Sequence, residues 1–456
     1  MTTLNKISIL ALGSRGDVQP YIAIALSLKN SGYNVTILTS TNFKSFITSF
    51  GLKCSPIYND YEKLMAQSPV FKEAMSKGDT LTFMTEVLHM KDTIQQGVGA
   101  FLQQMEEDPP QLLICCFVGL YYGNYALRVL HVPTLFVFLQ GIVFDSERPI
   151  WGLPNLPRKE HCQFLTLLEK ISNWDMFDDC MQSLTRPKLL QYYPQEQFIK
   201  DWEYPPLPVV ICQSPIFKQL IYKNAHPNLH FVGASVIKAN QQIQYINNFG
   251  GLDNMKIIER FIDKEPSRKP IYCGWGSMVC KSPEYMVHFI VKALQISQQR
   301  GIVLGGWAKL SLETLKLSSL SDLNLISYAE ENLLFVDEAP HEYLFPLTAC
   351  TIHHGGSGTT NTALRAGVPT IITPIFLDQF DHSHLINKLG TGIGFSTQLQ
   401  KISSNELARS ITFVLSDSNM ILRAREIGDI LCKENGPSGA VSEVKSFWDA
   451  FHKSES

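Results

Sequence analysis

Length, composition and charge set the first limits on this protein. A chain of 456 residues is longer than one hydrophobic core usually serves, so two domains are expected. With 45% hydrophobic and 18% charged residues, the composition is that of an ordinary globular protein and excludes a disordered chain. The formal net charge of −3 provides no broad attraction to nucleic acid, so we expect no nucleic-acid partner.

Cysteine usage and apolar segments indicate where the protein resides. The ten cysteines include no C-x-x-C pair, which favours buried free thiols in a reducing compartment. The apolar run over 7–12 is too short for a secretory signal, and polar residues interrupt the apolar region 112–144, which argues against a membrane span. We expect a cytoplasmic protein without a transmembrane segment, and a monomer. Peripheral contact with a membrane is left open.

The first half alternates between strand and helix patterns. An apolar strand is predicted over 6–12 and a helix over 18–31. Gly32 ends that helix, and β-branched residues then predict a strand over 34–39. Further strands are predicted over 112–116, 134–138 and 207–212. Strands separated by helices form a parallel sheet that is covered on both faces.

A second cycle of strands and helices begins after a polar stretch. A helix is predicted over 282–300, the glycine cluster at 390–394 is predicted as a loop, and short strands are predicted over 270–274, 302–305, 333–336, 350–353 and 370–374. The predicted units are a first doubly wound domain (1–237), a linker (238–254), a second doubly wound domain (255–435) and a last helix (436–456) that crosses back to the first domain. Such sheets bind ligands at the carboxyl ends of their strands.

Two common nucleotide motifs are absent from the sequence. No Gly-Lys-Ser or Gly-Lys-Thr phosphate loop follows a strand. A dinucleotide fingerprint is missing too, because the first loop reads Gly13-Ser14-Arg15-Gly16 and the second strand ends without an acidic residue. Binding of NAD is therefore disfavoured.

The stretch from His353 to Thr360 has the character of an anion site. A predicted strand ends in two histidines, and three glycines and Ser357 lead into a helix predicted over 361–366. Glycine lets a ligand approach the backbone, and the helix start offers free N–H groups and a positive dipole end. A tight turn with packed histidines is the alternative. Asp378-Gln379 after the next strand argues for the first interpretation, because a carboxylate beside an amide suits sugar hydroxyls.

Three ordered segments resemble family 1 glycosyltransferases with the GT-B fold, in the branch of sterol glucosyltransferases and bacterial rhamnosyl- and natural-product glycosyltransferases. Residues 335–381 resemble the donor-binding signature of that branch, and residues 13–20 resemble its acceptor-side loop. Gly274-Trp275-Gly276-Ser277-Met278 is similar to its G-x-G-S-M turn. The resemblance implies an α/β, GT-B architecture with two doubly wound, Rossmann-like domains that face a deep cleft.

The resemblance also implies a donor site. His354 would contact the diphosphate, Ser277 would approach the phosphate or the ribose from the facing loop, and Trp307 would be either an aromatic wall of the base pocket or a core residue. The implied donor-binding residues are Ser14, Arg15, Gly16, Ser277, Phe335, Val336, Asp337, His354, Gly356, Ser357, Gly358, Thr359, Asp378 and Gln379. The implied donor is UDP-glucose, since glutamine at position 379 leans toward glucose in the family. No further cofactor is expected.

Asp17 is the predicted catalytic base. It follows the first strand, where a carboxylate could take a proton from an acceptor hydroxyl, and the plant branch's histidine is absent from residues 1–60. The alternative is that Asp17 only caps the helix over 18–31. The expected reaction is an inverting single displacement without a metal; a metal site among His353, His354, Asp381, His382 and His384 is the less favoured alternative.

The implied acceptor is a lipophilic alcohol, such as a sterol or polycyclic natural product, bound by residues 55–107 and 139–193. The aromatic and methionine residues there are Phe71, Met75, Phe83, Met84, Met90, Phe101, Phe144, Trp151, Phe164, Trp174, Met176 and Phe177, for any one of which core packing is the favoured interpretation. Residues 140–151 depart from the basic-aromatic stretch of sterol enzymes. A non-catalytic nucleotide-sugar binding protein, a GT-B epimerase or phosphorylase-like enzyme, and a transferase using another donor such as dTDP-rhamnose are the alternatives.

Overall fold

Two parallel β-sheets, one in each half of the chain, form the framework of the protein. The structure is a computed structural model that describes residues 3–79, 82–83, 86, 90–141, 174–238, 242, 251–337 and 339–454. The strands of the first half are β1 (Lys6–Leu10), β2 (Asn34–Ser40), β3 (Lys53–Tyr58), β4 (Leu112–Cys115), β5 (Thr134–Phe138), β6 (Val209–Ile211) and β7 (Leu229–Phe231). Those of the second half are β8 (Ile271–Gly274), β9 (Gly301–Leu304), β10 (Leu333–Val336), β11 (Cys350–His353), β12 (Thr370–Ile372) and β13 (Gly392–Gly394).

Both sheets are doubly wound. The first has the strand order β3-β2-β1-β4-β5-β6-β7 and the second β10-β9-β8-β11-β12-β13, with all described pairs parallel. The winding direction reverses between β1 and β4 and again between β8 and β11. Loops diverge at such a switch point and leave a crevice at the carboxyl ends of the strands. The predicted architecture of two doubly wound, Rossmann-like halves is confirmed.

Helices connect the strands and cover the sheets. In the first half they are α1 (Arg15–Asn30), α2 (Lys44–Ser49), α3 (Tyr61–Gln67), α4 (Pro69–Lys77), α5 (Lys91–Glu107), α6 (Leu120–Arg128), α7 (Trp174–Ser183), α8 (Gln195–Glu203) and α9 (Pro215–Leu220). In the second half they are α10 (Gly251–Asp263), α11 (Pro283–Ser297), α12 (Leu312–Leu317), α13 (Leu323–Asn332), α14 (His341–Leu344), α15 (Ser357–Ala366), α16 (Gln379–Leu389), α17 (Ser404–Ser416), α18 (Ser418–Lys433) and α19 (Gly436–Ser454). Short 3-10 helices lie at Thr41–Phe43, Phe117–Gly119, Leu189–Gln191, Phe345–Leu347 and Leu399–Lys401.

The central strands are the ones that the sequence predicts best. β5, β10 and β11 have the predicted bounds, and β1, β4 and β8 lie within them. Apart from half-buried Lys6 at the start of β1, every residue of β1, β4, β8 and β11 is buried. A strand covered on both faces reads as a continuous apolar run bounded by turn residues, and this pattern is clear in a single sequence.

One prediction about a glycine-rich segment is wrong, and two helices begin earlier than predicted. The predicted loop at 390–394 contains the edge strand β13, where a side chain on Gly392 or Gly394 would collide with the carbonyl oxygen of Thr370 or Ser383. Glycine is used there because the neighbouring backbone is too close for a Cβ. The helices predicted over 18–31 and 361–366 also begin earlier, at Arg15 and Ser357, since glycine is compatible with a first helical turn.

Each half receives a segment from the other. Met65, Phe71 and Met75 of α3 and α4 belong to the core of the second half, together with Trp275 and Phe376. The expectation that residues 55–107 as a whole shape a pocket of the first domain is therefore wrong for α3 and α4. Nothing in the local sequence shows which sheet an amphipathic helix covers.

The last helix, α19, covers the first sheet. Its side chains Val444, Phe447 and Trp448 are buried in the core of the first half, and α19 packs against α1. The exact domain boundaries stay a prediction, and most of the predicted linker 238–254 lies outside the described residues.

Cysteines and apolar helices add two observations about the described residues. The nine cysteines among them are free thiols, of which seven are buried, Cys54 is half-buried and Cys432 is exposed. Burial of all thiols, as the sequence suggested, is therefore wrong at Cys432. None of the described helices is both long enough and apolar enough to span a bilayer.

Replacing Phe447 by alanine should destabilise the first half. Its ring is only 3% exposed, so Phe447→Ala leaves a cavity that lowers the free energy of unfolding by about 3–5 kcal/mol. Urea unfolding followed by circular dichroism measures this loss. Ser446→Ala on the exposed face of the same helix is the control and should change stability by less than about 0.5 kcal/mol. Equal stabilities of the two variants would contradict the packing of α19.

Candidate active site

Four chain segments converge at the carboxyl ends of the central strands. The loop after β1 contains Gly13 and Ser14, and the loop after β8 contains Ser277. The turn after β11 contains Gly355, and the loop after β12 leads to Asp378. The first three lie directly at the two switch points, so the topology assembles the motifs that lie far apart in the sequence.

A glycine turn joins β11 to α15. Gly355 has φ +96°, and a Cβ there would lie 2.7 Å from Cγ2 of Ile372, so the position requires glycine. Its N–H donates to Nδ1 of His353 at 3.0 Å, and its carbonyl accepts from Nδ1 of His382 at 2.7 Å. His353 is therefore structural, and His382 is a second structural histidine that the sequence interpretation missed.

The turn directs the start of α15 at the crevice. Gly356 is the N-cap residue, and the first backbone hydrogen bond of the helix is that of the Thr360 N–H, which donates to the Gly356 carbonyl at 2.9 Å. The amides of Ser357, Gly358 and Thr359 therefore precede the hydrogen-bond ladder of the helix. These amides, together with the positive end of the helix dipole, are suited to an oxyanion.

His354 lies directly beside this helix start. The side chain is buried, its Nδ1 has no partner among the described residues, and a Cβ on Gly356 would collide with its Nε2. Burial lowers the pKa of His354 to about 3, and His341 and His382 add to this effect. The imidazole is consequently neutral near pH 7 and can donate one N–H to a ligand oxygen.

Asp17 begins α1 as part of a capping box. Ser14 is the N-cap residue, and both its N–H, at 2.7 Å, and its hydroxyl, at 2.9 Å, donate to Oδ2 of Asp17. Asp17 therefore takes part in capping α1, as the alternative interpretation held. Its predicted position is wrong, because Asp17 is the third helical residue and not the N-cap. A side chain at Gly13 would collide with this carboxylate. Burial raises the pKa of Asp17 to about 6, hydrogen bonds from Ser14 lower it, and the charge of Asp378 raises it further.

Asp378 and Gln379 begin α16 at the other side of the glycine turn. Burial raises the pKa of the Asp378 carboxyl to about 7, and its side chain is 20% exposed. The amide oxygen of Gln379 accepts from the N–H groups of Ile375 at 2.7 Å and Phe376 at 3.2 Å. Gln379 thus shapes the loop before Asp378, and its amide NH₂ is the part left for a ligand.

The two halves meet at this point. The hydroxyl of Ser357 donates to the carbonyl of Leu139 at 3.0 Å, and a Cβ on Gly358 would lie 3.9 Å from the carbonyl oxygen of Gly16. Asp378 is also near enough to Asp17 for its charge to raise the pKa of that carboxyl. The structure therefore brings the first loop, the glycine turn and Asp378 together.

The remaining predicted donor residues lie around this centre. Phe335 and Val336 end β10, and Asp337 follows them at the surface. The N–H of Gly305 donates to the Val336 carbonyl at 2.9 Å, and that of Trp307 donates to Gly276 at 2.9 Å. The loops after β8, β9 and β10 consequently form one continuous wall.

Three further predicted residues lie in this wall or on the first loop. Ser277 and Trp307 are half-buried within the wall. Arg15 is exposed on the first loop, with its guanidinium 4.8 Å from the ring centre of Phe46. The structure thus leaves both interpretations of Trp307 open.

Several residues predicted to line an acceptor pocket are core residues. Trp174 is buried, and the rings of Phe177 and Tyr121 are stacked at 4.6 Å. Phe71 and Met75 lie in the core of the second half. Met84, Phe144, Trp151 and Phe164, and residues 142–151 of the departing stretch 140–151, lie outside the described residues.

Metal ligation was the remaining alternative for the histidines. Among the side chains that the structure describes, no three of His, Cys, Asp or Glu are grouped so that they could hold a metal ion. His353 and His382 each use a ring nitrogen to hold Gly355.

Comparison with family models gives two matches. Residues 7–102 match the glycosyltransferase family 28 N-terminal domain. Residues 307–446 match the erythromycin biosynthesis protein CIII-like C-terminal domain. Together the matches span just over half of the chain and contain Asp17, His354 and Asp378.

Solved structures are similar over almost the whole chain. A kitacinnamycin glycotransferase has a TM-score of 0.66 at 15% identity, with 98% of this chain and 100% of that one covered. The calicheamicin glycosyltransferase CalG4 has a TM-score of 0.64 at 15% identity, with 98% of both chains covered. The two family-model matches together make this chain a glycosyltransferase, and the solved structures show that its fold is GT-B.

Curated relatives of this glycosyltransferase include a sterol 3-beta-glucosyltransferase of Debaryomyces hansenii, 28% identical over 97% of this chain and 27% of that protein. Sterol 3-beta-glucosyltransferase UGT80B1 of Arabidopsis thaliana is 27% identical over 98% of this chain and 68% of that protein. The chain thus spans about a quarter of the Debaryomyces protein and about two thirds of the Arabidopsis protein.

The buried carboxyl of Asp378 should reduce the stability of this glycosyltransferase at neutral and higher pH. Its pKa rises from 3.8 in a free side chain to about 7, so the folded state binds more protons than the unfolded chain between these values. The free energy of unfolding then falls as the pH rises through this window. Asp378→Asn should raise it at pH 8 by on the order of 2 kcal/mol and leave it nearly unchanged at pH 4.

Urea unfolding at both pH values measures this difference. Asp337→Asn is the control, because Asp337 is an exposed carboxyl that follows the edge strand β10, far along the sheet from β12. It should keep the wild-type pH dependence. If the free energy of unfolding of Asp378→Asn keeps the wild-type pH dependence, the fold does not raise the pKa of Asp378.

Proposed function

We propose that this glycosyltransferase transfers glucose from UDP-glucose to a hydroxyl of a lipophilic acceptor, with inversion at the anomeric carbon. The observation that carries the proposal is that the two halves meet at the free start of α15, between the loop that holds Asp17 and the residue Asp378. A carboxyl beside an anion site binds a sugar diphosphate, and a second carboxyl across the crevice can activate an acceptor. The names of the sterol 3-beta-glucosyltransferase relatives support glucose and a sterol-like acceptor.

The order of the strands supports an extended nucleotide-sugar pose. The ends of β10 and β9 would hold the base and ribose, the glycine turn after β11 the diphosphate, and Asp378 after β12 the hexose. β11 lies three strands from β10, which is about 14 Å at the usual strand spacing, and this suits the length of an extended nucleoside diphosphate. His354 would donate its N–H to a phosphoryl oxygen, with the amides of Ser357 and Gly358 beside it.

The proposed reaction is a single displacement. The acceptor oxygen forms a bond to the anomeric carbon while the bond from that carbon to the β-phosphate oxygen breaks, and the acceptor proton passes to Asp17. One displacement inverts the configuration. Charge on the departing UDP is stabilised by the N-terminus of α15 and by the N–H of His354.

The proposal is tested by incubating the protein with UDP-glucose, UDP-galactose and dTDP-rhamnose and a panel of sterols, flavonoids and macrolides. Mass spectrometry identifies a glycosylated product, and released UDP gives the rate. We expect transfer from UDP-glucose in preference to the other donors. Transfer only from dTDP-rhamnose would overturn the donor, and binding of UDP-glucose without release of UDP in any mixture would favour the non-catalytic alternative.

Asp17→Asn should abolish most transfer while leaving donor binding intact. A positioned base contributes on the order of a hundred- to ten-thousand-fold in rate, and an asparagine side chain cannot accept the proton. Turnover is measured by UDP release and the donor Kd by calorimetry. Asp322→Asn, at the exposed cap of α13 that accepts from the N–H of Leu325 at 2.8 Å, is the control and should keep wild-type turnover. Near-normal turnover in Asp17→Asn would disprove its role as the base.

The pH profile of the wild-type enzyme should reflect the raised pKa of Asp17. A base acts only as a carboxylate, so kcat/KM should rise with pH and reach half of its plateau near the pKa of about 6. Initial rates between about pH 4.5 and pH 8 measure the profile of the free enzyme. A half-maximum near pH 4, the value for an unperturbed carboxyl, would contradict this assignment.

A further inference from the structure

A helical arm from the first half packs on the donor side of the second half. The arm consists of α3, α4, Gly78, Asp79 and Phe83, between β3 and α5 in the chain. Its apolar side chains, Met65, Phe71 and Met75, are at most 6% exposed, and they belong to the core that surrounds β8, β11 and β12. The arm therefore crosses from the sheet that carries Asp17 to the sheet that carries the donor-side residues.

The arm contacts the loop that contains Ser277. The N–H of Val279 donates to Sδ of Met75 at 3.4 Å. Ser76 and Lys281 exchange two hydrogen bonds of 3.2 Å, one from the Lys281 N–H to the Ser76 carbonyl and one from the Ser76 hydroxyl to the Lys281 carbonyl. These contacts lie on one side of Ser277, two and four residues further along the chain.

The arm also contacts the loop that leads to Asp378. The ring of Phe83 lies 4.9 Å from that of Phe376, and on its other side 5.2 Å from that of Phe71. Phe376 in turn donates its N–H to Gln379. A chain of direct contacts thus runs from α4 through Phe83 and Phe376 to the start of α16.

Gly78 lies close against the loop that leads to Asp378. It has φ +64° at the end of α4, and a Cβ there would lie 2.5 Å from the carbonyl oxygen of Ile375. The Gly78 carbonyl accepts from the side chain of Gln398 at 2.8 Å, and that of Lys77 accepts from Gln400 at 2.6 Å. Residue 78 consequently cannot gain a side chain unless the arm or the loop moves.

We propose that the helical arm is a positioning element for the donor hexose, and that Gly78 and Phe83 set the place of the loop carrying Asp378. The first half would thereby determine how the second half binds the sugar, in addition to supplying Asp17. The inference rests on the proposed binding of a hexose by Asp378. It concerns the hexose rather than the nucleotide, because Gly78 and Phe83 contact the loop after β12 and not the turn after β11.

Gly78→Ala tests the inference, with Gly51→Ala as the matched control. Gly51 has φ +68°, but a Cβ there would meet only the flexible Lys29 amine, at 3.4 Å. Both alanines carry a similar backbone strain, and only the one at position 78 pushes on the Asp378 loop. Calorimetry gives Kd for UDP-glucose and for UDP with the intact protein, and circular dichroism checks the fold of each variant.

We expect the ratio of Kd for UDP-glucose to Kd for UDP to rise about 3- to 10-fold in Gly78→Ala, as for one or two weakened hydrogen bonds. Kd for UDP should stay within about twofold, since the turn after β11 is not moved. Gly51→Ala should keep the wild-type ratio. In the background of Asp378→Asn the effect of Gly78→Ala should vanish, because coupled residues are not additive.

An unchanged ratio in folded Gly78→Ala would overturn the inference. If Gly78→Ala does not fold, Phe83→Ala applies the same test, because it removes the contact with Phe376 without backbone strain. A wild-type protein that binds neither UDP nor UDP-glucose would overturn the proposed function as well. A wild-type protein that binds both, with arm variants that keep its ratio, would overturn the positioning role alone.

Discussion

The turn at Gly355 is the constraint on which the candidate site depends. Its amide and carbonyl are held by His353 and His382, and its missing side chain lets Ile372 of the next strand approach. This turn brings the chain out of a fully buried strand and directly into α15, so that the helix begins in the crevice. Without it, the free amides of Ser357 and Gly358 would not face the ligand, and Asp378 would lack its neighbouring anion site.

The ionisable side chains around this turn have pKa values that are unusual for a surface crevice. Two carboxyls, Asp17 and Asp378, have raised pKa values, and His354 is held neutral by its burial. A site that binds a diphosphate provides fixed amide dipoles for the anion, and it keeps its carboxyls where a sugar and an acceptor would replace water. Carboxyls with raised pKa values lower the free energy of unfolding when no ligand is bound. This loss of stability is common at sites that act on ligands.

Each half of the chain depends on a segment from outside it to complete its hydrophobic core. The helical arm of the first half completes the core of the second, and α19 from the chain's end completes the core of the first. Both exchanges bury large apolar side chains, so separating the halves would expose Phe71 on one side and Phe447 on the other. The orientation of the crevice walls is therefore set by core packing as well as by contacts within the crevice.

The central strands, the glycine turn and the family resemblance could all be predicted from the amino-acid sequence. Buried parallel strands read as apolar runs, and a glycine turn beside histidines and an Asp-Gln pair is a local pattern. The folded structure was needed to show that His353 holds Gly355, that Asp17 is the third helical residue paired with Ser14, and that α3 and α4 cover the other half's core. The structure also showed that a glycine-rich segment forms the strand β13, although glycine is uncommon in strands. These features depend on neighbours far away in the chain, and a local pattern of residues carries no information about which distant surface it will contact.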